Sequence, residues 1–438
     1  MLESIGPVGV LIGLALMLGL MFLGLHVGTA MFAIGLIGAM LYFGMPGINA
    51  VGEQLWGASE DYLLLSIPLY ILLGEILVRA GTTDKMYQSL SDWLNRLPGG
   101  LLHTNVGAAA LFSAVSGSSV ATAATIATVA LPSFKTRSYD KRLVLGSIAA
   151  GGSLGQLIPP GIGFIVYGSM TNTSAARLYA AGVIPGAIMT VLFLATILAI
   201  ALWRPELAGR REASVPFSEK IAHSVHLLGP IVIFAVVMGG IYTGWATVTE
   251  SAALGVIAVL PIVACYGKLS IGMLHESFLA TIRLTAITAY ILIGALYLNF
   301  VLAMLGVPQA LAAFIKTVHV SPTALMWLFA AFYFILGIAL ETMPMLVGTV
   351  PVVFPIIVAA GIDPVFFGVF IVLMCELSLL SPPIGMTLYV IQGVRGEGSI
   401  NDVFQGTYPF VAAMILMTAI LIHYPEIATF LPNMIYGQ

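Results

Sequence analysis

Long apolar runs, broken at regular intervals by short polar segments, set the pattern of this chain. They lie near residues 6–25, 27–44, 62–80, 105–131, 143–169, 180–203, 225–242, 247–266, 281–306, 323–360, 365–393 and 407–424. Each is long enough, as a helix, to cross roughly 30 Å of hydrocarbon. Two runs are poor as simple spans. The first, 105–131, has Ser116-Gly117-Ser118-Ser119 at its middle, and 323–360 has Glu341-Thr342-Met343-Pro344. Polar, helix-breaking centres predict re-entrant hairpins, whose backbone is tolerated at membrane depth only beside protein or a water-filled cavity. Two further runs, 143–169 and 365–393, are interrupted by the proline pairs Pro159-Pro160 and Pro382-Pro383 and predict broken helices. The longest hydrophilic stretch, Arg204 to Lys220, reads as a linker. The expected organisation is therefore an N-terminal half 1–203, a cytoplasmic linker 204–224 and a C-terminal half 225–438, all helical and crossing a membrane many times.

Composition narrows the class. Hydrophobic residues make up 60% of the chain and charged residues 8%, with a mean hydropathy of +1.06. A soluble domain carries about a quarter charged residues, so this outer surface must face lipid. The net charge of −3 comes with no basic tail, which gives no reason to expect nucleic acid. Cys265 and Cys375 stand alone in apolar segments, without disulfide or metal spacing. The run 6–25 has no preceding Lys or Arg and no cleavage site after it, so it reads as a retained helix.

Positive charge then fixes a threading. Arg79, Lys85 and Arg96 precede the first candidate hairpin, and Lys135, Arg137, Lys141 and Arg142 follow it. Only a segment that enters and returns leaves both groups in the cytoplasm. Continuing the count places thirteen of the sixteen Lys and Arg residues there, Arg204, Arg210, Arg211, Lys220, Lys268 and Arg395 among them. Arg177 and Lys316 fall outside, and Arg283 begins a helix.

The halves repeat one another. Pro132 aligns with Pro355 at an offset of 223 (355 − 132), and Pro159-Pro160 aligns with Pro382-Pro383 at the same offset. Tyr70-Ile71-Leu72-Leu73-Gly74 matches Tyr290-Ile291-Leu292-Ile293-Gly294, and Gly182-Val183-Ile184-Pro185 matches Gly406-Thr407-Tyr408-Pro409. In the threading, 143–169 runs outward and 365–393 inward, so the copies are inverted, as in many secondary transporters.

A proline pair frees the carbonyls of the preceding turn. Here the breaks read GGSLGQLIPP over 151–160 and ELSLLSPPIG over 376–385. Carbonyl oxygens there, with Ser113, Ser116, Ser118 and Ser119 of one hairpin and Gly337, Thr342 and Met343 of the other, suit a hard cation such as sodium. Half-helix N-termini suit a carboxylate. A single proline pair would be an ordinary kink; two at matching positions of an inverted repeat favour a site. Glu341 and Glu376 lie near the second break, where each can neutralise a cation, carry a proton or cap a half-helix. Glu75 and Arg79 read as a structural pair, Trp56, Trp93 and Trp203 as interfacial residues, and Met86 to Leu97 as an amphipathic segment at the inner surface.

The hairpin SGSS followed by ATAAT, with GGSLGQLIPPG, SPPIGMTLYV and IPLYILLGEIL, resembles the large membrane subunit of tripartite ATP-independent periplasmic (TRAP) transporters over nearly the whole chain. The resemblance implies an inverted-repeat, elevator-type permease of the bacterial inner membrane, with sodium-coupled uptake of organic acids. It also implies a small four-helix membrane subunit on a separate chain and a soluble periplasmic substrate-binding protein. Sodium would sit at Ser113, Ser116, Gly155, Ile158 and Pro160 in one half and at Gly337, Ser378, Ser381 and Ile384 in the other. The family pattern has glycine and threonine where this chain has Ser378 and Ser381. Substrate contacts are expected from Ser118, Ser119, Ser153, Gln156, Thr342 and Thr387. A stand-alone anion carrier shares this layout. A membrane-embedded enzyme, such as a lipid phosphatase, would need clustered acids, His or Arg at one depth, and a channel would need a repeated selectivity filter. Neither is legible here.

Overall fold

A computed structural model describes residues 7–437, apart from 136, 210–214, 311–312, 314–319 and 339. The expectations for Arg210, Arg211 and Lys316 lie outside the described residues. The described chain is helical, with one isolated antiparallel bridge between Tyr139 and Ala208. In order, the helices are α1 Pro7–Phe22, α2 Val27–Phe43, α3 Met45–Glu60, α4 Ser66–Arg79, α5 Thr82–Leu94, α6 Leu101–Ser116, α7 Ser119–Phe134, α8 Lys141–Gly152, α9 Ile162–Thr171 and α10 Ala175–Trp203. The second half holds α11 Phe217–Tyr242, α12 Val248–Cys265, α13 Ile271–Met304, α14 Pro322–Leu336, α15 Thr342–Ala359, α16 Pro364–Leu380, α17 Met386–Arg395, α18 Ile400–His423 and α19 Glu426–Tyr436. By length and hydropathy α10, α11, α12, α13, α15 and α18 can each cross a membrane.

Both predicted hairpin runs break into helix pairs at their polar centres, α6–α7 and α14–α15, and both proline pairs interrupt helices, α8–α9 and α16–α17. Each proline pair contains a cis peptide bond. Several boundaries differ from the sequence reading: α13 begins ten residues before its apolar run, and α19 lies beyond the last run. Residues 45–60 are helical although too polar to register as an apolar run. Helix α11 begins at Phe217, inside the stretch read as linker. The second break is shorter than 376–385: α16 continues through Leu380, so Glu376 and Ser378 sit on helix and only Ser381–Gly385 is broken.

Packing follows the repeat. Helix α7 packs on α8 as α15 packs on α16, and α6 on α8 as α14 on α16. Across the halves, α7 packs on α17 as α15 packs on α9, and α8 on α18 as α16 on α10. Asp140 and Asp363 occupy equivalent positions (363 − 140 = 223), and each caps its helix by accepting from the second and third N–H groups, Arg142 and Leu143 in one case and Val365 and Phe366 in the other.

Contacts between distant loops sort the chain ends into two groups. At one end Arg79 meets Glu276 at 2.7 Å, His223 meets Asp92 at 2.7 Å, Lys85 lies 4.9 Å from the centre of the Tyr266 ring, and Arg395 meets Asp402 at 3.0 Å. At the other end Tyr62 O accepts from Thr249, Tyr167 donates to Pro364 O, Asp61 accepts from Ser169 and Arg177 donates to Asn433. Each of these contacts joins segments that the charge-based threading expects on one side. The basic end carries cavities of about 250, 400 and 490 Å³, the second lined by Lys135, Arg137, Lys141 and Arg395.

Candidate functional site

The tip of the first hairpin meets the first helix break. Helix α6 stops because Gly117 takes a left-handed conformation, φ 61°, with its N–H on Ser113 O at 3.3 Å. The carbonyl of Gly117 then accepts from Ile162 N at 3.3 Å, and a Cβ on Gly117 would sit 2.4 Å from Pro160 O. Only glycine permits that approach. On the other side of the tip, a Cβ on Gly155 would lie 2.4 Å from Ser119 Cα. The contact therefore sets the tip Gly117–Ser119 against Gly155 and Pro160, with Ser113 and Ser116 in the last turn of α6 before it.

This junction is rich in unused acceptors. Among the described residues, no backbone or side-chain donor reaches the carbonyls of Gly155, Ile158 or Pro160. Ser113 is fully buried and its Oγ has no partner there either. Ser116 Oγ pairs with Thr122 Oγ1 at 2.8 Å, and Ser118 caps α7 through Ala121 N. Buried oxygens left without donors cost free energy unless a ligand satisfies them. The N-terminus of α9 follows at Gly161, which has no side chain to cap it; of its first N–H groups, Ile162 donates to Gly117 O and Phe164 to Gly161 O.

The second junction is built alike and filled differently. Ser378 stands where the first half has Gly155 (378 − 155 = 223), and its Oγ donates to Gly337 O at 2.9 Å and lies 3.2 Å from Leu340 O. Ser381 donates to Leu377 O at 2.7 Å, and Thr387 donates to Leu379 O at 2.6 Å. The counterparts of the three open carbonyls are all engaged: Ser378 O accepts from Ser381 N at 3.2 Å, Ser381 O from Gly385 N at 3.2 Å, and Pro383 O from the Tyr389 hydroxyl at 2.7 Å. The Ile384 side chain is 45% exposed, unlike the buried Ser378 and Ser381. Thr342 begins α15, is buried and has an unpartnered Oγ1 among the described residues. Gly385, like Gly161, leaves the N-terminus of its half-helix uncapped by a side chain.

Of the expected substrate contacts, Ser153 turns away from the junctions: its Oγ donates to Ala150 O at 2.8 Å, facing Met414 of α18. Gln156 is buried with its Oε1 unpartnered. Glu341 is the first residue before α15 but makes no capping bond. Glu376 is fully buried and accepts from Ser119 Oγ at 2.7 Å, which joins the second broken helix to the first hairpin. The Asp140 and Asp363 caps were missed from sequence, although their common offset was there to find. No group of three or more His, Cys, Asp or Glu suited to a metal ion occurs among the described residues.

Residues 14–427 match the family model described as "Tripartite ATP-independent periplasmic transporter, DctM component". The sialic acid TRAP transporter large permease protein SiaM of Vibrio cholerae is 30% identical over 428 residues, covering 96% of this chain and 98% of the relative. The C4-dicarboxylate large permease DctM of Pseudomonas aeruginosa is 28% identical, covering 92% and 94%. The ectoine large permease TeaC of Halomonas elongata is 27% identical, covering 96% and 98%. Among solved structures, the YdaH transporter of Alcanivorax borkumensis aligns with a TM-score of 0.62 at 16% identity, over 89% of this chain and 90% of that one, a likeness of fold.

Proposed function

The chain belongs to the DctM component family of tripartite ATP-independent periplasmic transporters, and on that premise we propose that it carries a small organic acid across the bacterial inner membrane, coupled to sodium. It is a multi-pass transporter subunit and not an enzyme. Its partners in this reading are a small four-helix membrane subunit on a separate chain and a soluble periplasmic binding protein that delivers the substrate.

The observation that carries the reading is the first junction, where the carbonyls of Gly155, Ile158 and Pro160 and the buried Ser113 hydroxyl all lack a partner among the described residues. Acceptors without donors suit a hard cation and not an anion. Ser116 completes that sodium site. Gly337, Ser378, Ser381 and Ile384 form its counterpart, entered when sodium displaces the Ser378 hydroxyl from Gly337 O. The substrate carboxylate lies against the uncapped N-termini of α9 and α17, with Ser118, Ser119, Gln156, Thr342 and Thr387 around it. Helices α6 and α7 have 16 residues each, about 24 Å, too short to span, which supports a hairpin that enters and returns. Helix α15, at 18 residues, stands at the lower limit for a span, and its pairing with α14 supports the same form. The hairpins and broken helices move together as an elevator against α2, α4 and α11–α13.

The test is uptake into proteoliposomes that contain this chain and its small partner. Labelled organic acids are offered with binding protein and an inward sodium gradient, each present or omitted. Uptake that requires both is expected. Uptake independent of the binding protein would indicate a stand-alone carrier, and uptake indifferent to sodium would remove the coupling ion.

A further inference from the structure

We propose that Glu376 and Gln156 form a buried site for one positive charge between the two halves, separate from the carbonyl sites at the helix breaks. The charge is an alkali cation or the ammonium group of an amino-bearing substrate. The proposal rests on the transport reading above and adds a site to it.

Glu376 has no solvent exposure. One carboxylate oxygen accepts from Ser119 Oγ at 2.7 Å; the other, Oε1, has no donor among the described residues. Gln156 is 7% exposed and its Oε1 is equally without a donor. With Glu376 ionised, both oxygens are acceptors only. Two lines of contact bring these side chains to one place. A Cβ on Gly163 would sit 2.9 Å from Gln156 Oε1 and 3.3 Å from Val372 Cγ2, and Val372 lies one turn before Glu376 on the same face of α16. Ser119, which holds the Glu376 carboxylate, has its backbone against Gly155, the neighbour of Gln156.

A carboxylate removed from water needs a counter-charge, a full set of donors or a proton of its own; a bound proton would make E376Q equivalent to the parent chain, the outcome that overturns the site below. Glu376 has one hydroxyl. The ion pairs on Arg79, Arg142, His223 and Arg395 lie toward helix ends, and none reaches it. A cation held between Glu376 Oε1 and Gln156 Oε1 satisfies both acceptors and the charge together. The site has no mate in the repeat: the position equivalent to Glu376 is Ser153 (376 − 223 = 153), a neutral hydroxyl bonded into its own helix. It therefore stands apart from the two carbonyl sites, which are mates of one another.

The experiment compares the intact chain with E376Q and with Q156L, which removes an oxygen but no charge. Thermal unfolding in detergent is followed against NaCl, with choline chloride keeping ionic strength constant. Uptake with both partners present is then measured for an amino-bearing and an amino-free acid. If the charge is sodium, both variants need at least tenfold more NaCl for the same stabilisation, and the Hill coefficient of uptake falls by about one. If the charge is the substrate ammonium, sodium stabilisation is unchanged and only uptake of the amino-bearing acid falls, by tenfold or more. Variants that match the intact chain in sodium response and in substrate preference would overturn the site. An intact chain whose stability and uptake both ignore sodium would overturn the coupling reading instead, and the amino-bearing comparison would then decide for Glu376. Should E376Q fail to fold, Q156L carries the same comparison.

Discussion

Single oxygen atoms distinguish the two junctions. Gly155 has no side chain, so the hairpin backbone closes on it and the nearby carbonyls stay open. Its counterpart Ser378 places a hydroxyl on Gly337 O, and a Cβ on Gly337 would lie 2.5 Å from that hydroxyl oxygen. Changing Ser378 to glycine should leave both carbonyls open and lower the half-saturating sodium concentration for uptake several-fold. A sodium dependence identical to the parent chain would separate Ser378 from the ion. Ser119 is the sole donor to the Glu376 carboxylate among the described residues. The S119A change should cost about 1–3 kcal/mol, the penalty of a buried polar group left without its partner, read as a lower unfolding temperature in sodium-free buffer.

At the level of elements, close helix crossings depend on glycine. A Cβ on Gly146 of α8 would lie 1.9 Å from Gly406 O of α18, so no rotamer change relieves the clash. We expect G146A to destabilise the protein by about 1–3 kcal/mol, the usual cost of overpacking, with loss of folded protein by size-exclusion chromatography if the helices separate. G239A, at a position with open space around the added methyl, serves as the control and should fold normally. Much of the helix plan was legible because hydrophobic runs, polar hairpin tips and proline pairs act locally. Helix α3 was not, because Glu53, Gln54 and Glu60 interrupt its apolar positions. The extent of α16 was hidden for a different reason. Glu376, Ser378 and Ser381 read as breakers, yet Ser381 and Thr387 return their hydroxyls to the carbonyls at the end of the helix and keep it intact to Leu380. Of the site, the meeting of serine-rich tip and first break was readable from the repeat. That Ser153 points toward α18, and that Ser119 bonds to Glu376, depends on contacts across more than 250 positions of chain.

For the whole molecule, the loops fall into two ends, and the basic end is assigned to the cytoplasm by its Lys and Arg content. With Cys265 replaced by alanine and the buried Cys375 left in place, a cysteine introduced at Trp245, 92% exposed at the opposite end, should react with a membrane-impermeant maleimide added to whole spheroplasts. A cysteine at the exposed Glu397, beside the basic cavity, should react only after permeabilisation. The reverse pattern would invert the threading.

The mated interfaces bear on energy as well as shape. In the proposed elevator, α7 on α17 and α15 on α9 lie inside the moving unit and persist in both end states, and the two halves offer matched surfaces to the rest of the chain. On that proposal the two end states differ in free energy only through what the halves do not share. For states within about a kcal/mol of each other, a modest difference in ligand affinity reverses the populations. The direction of net movement then belongs to the solute gradients and not to the chain. The balance is tilted where the halves differ in charge, at Glu376 opposite Ser153.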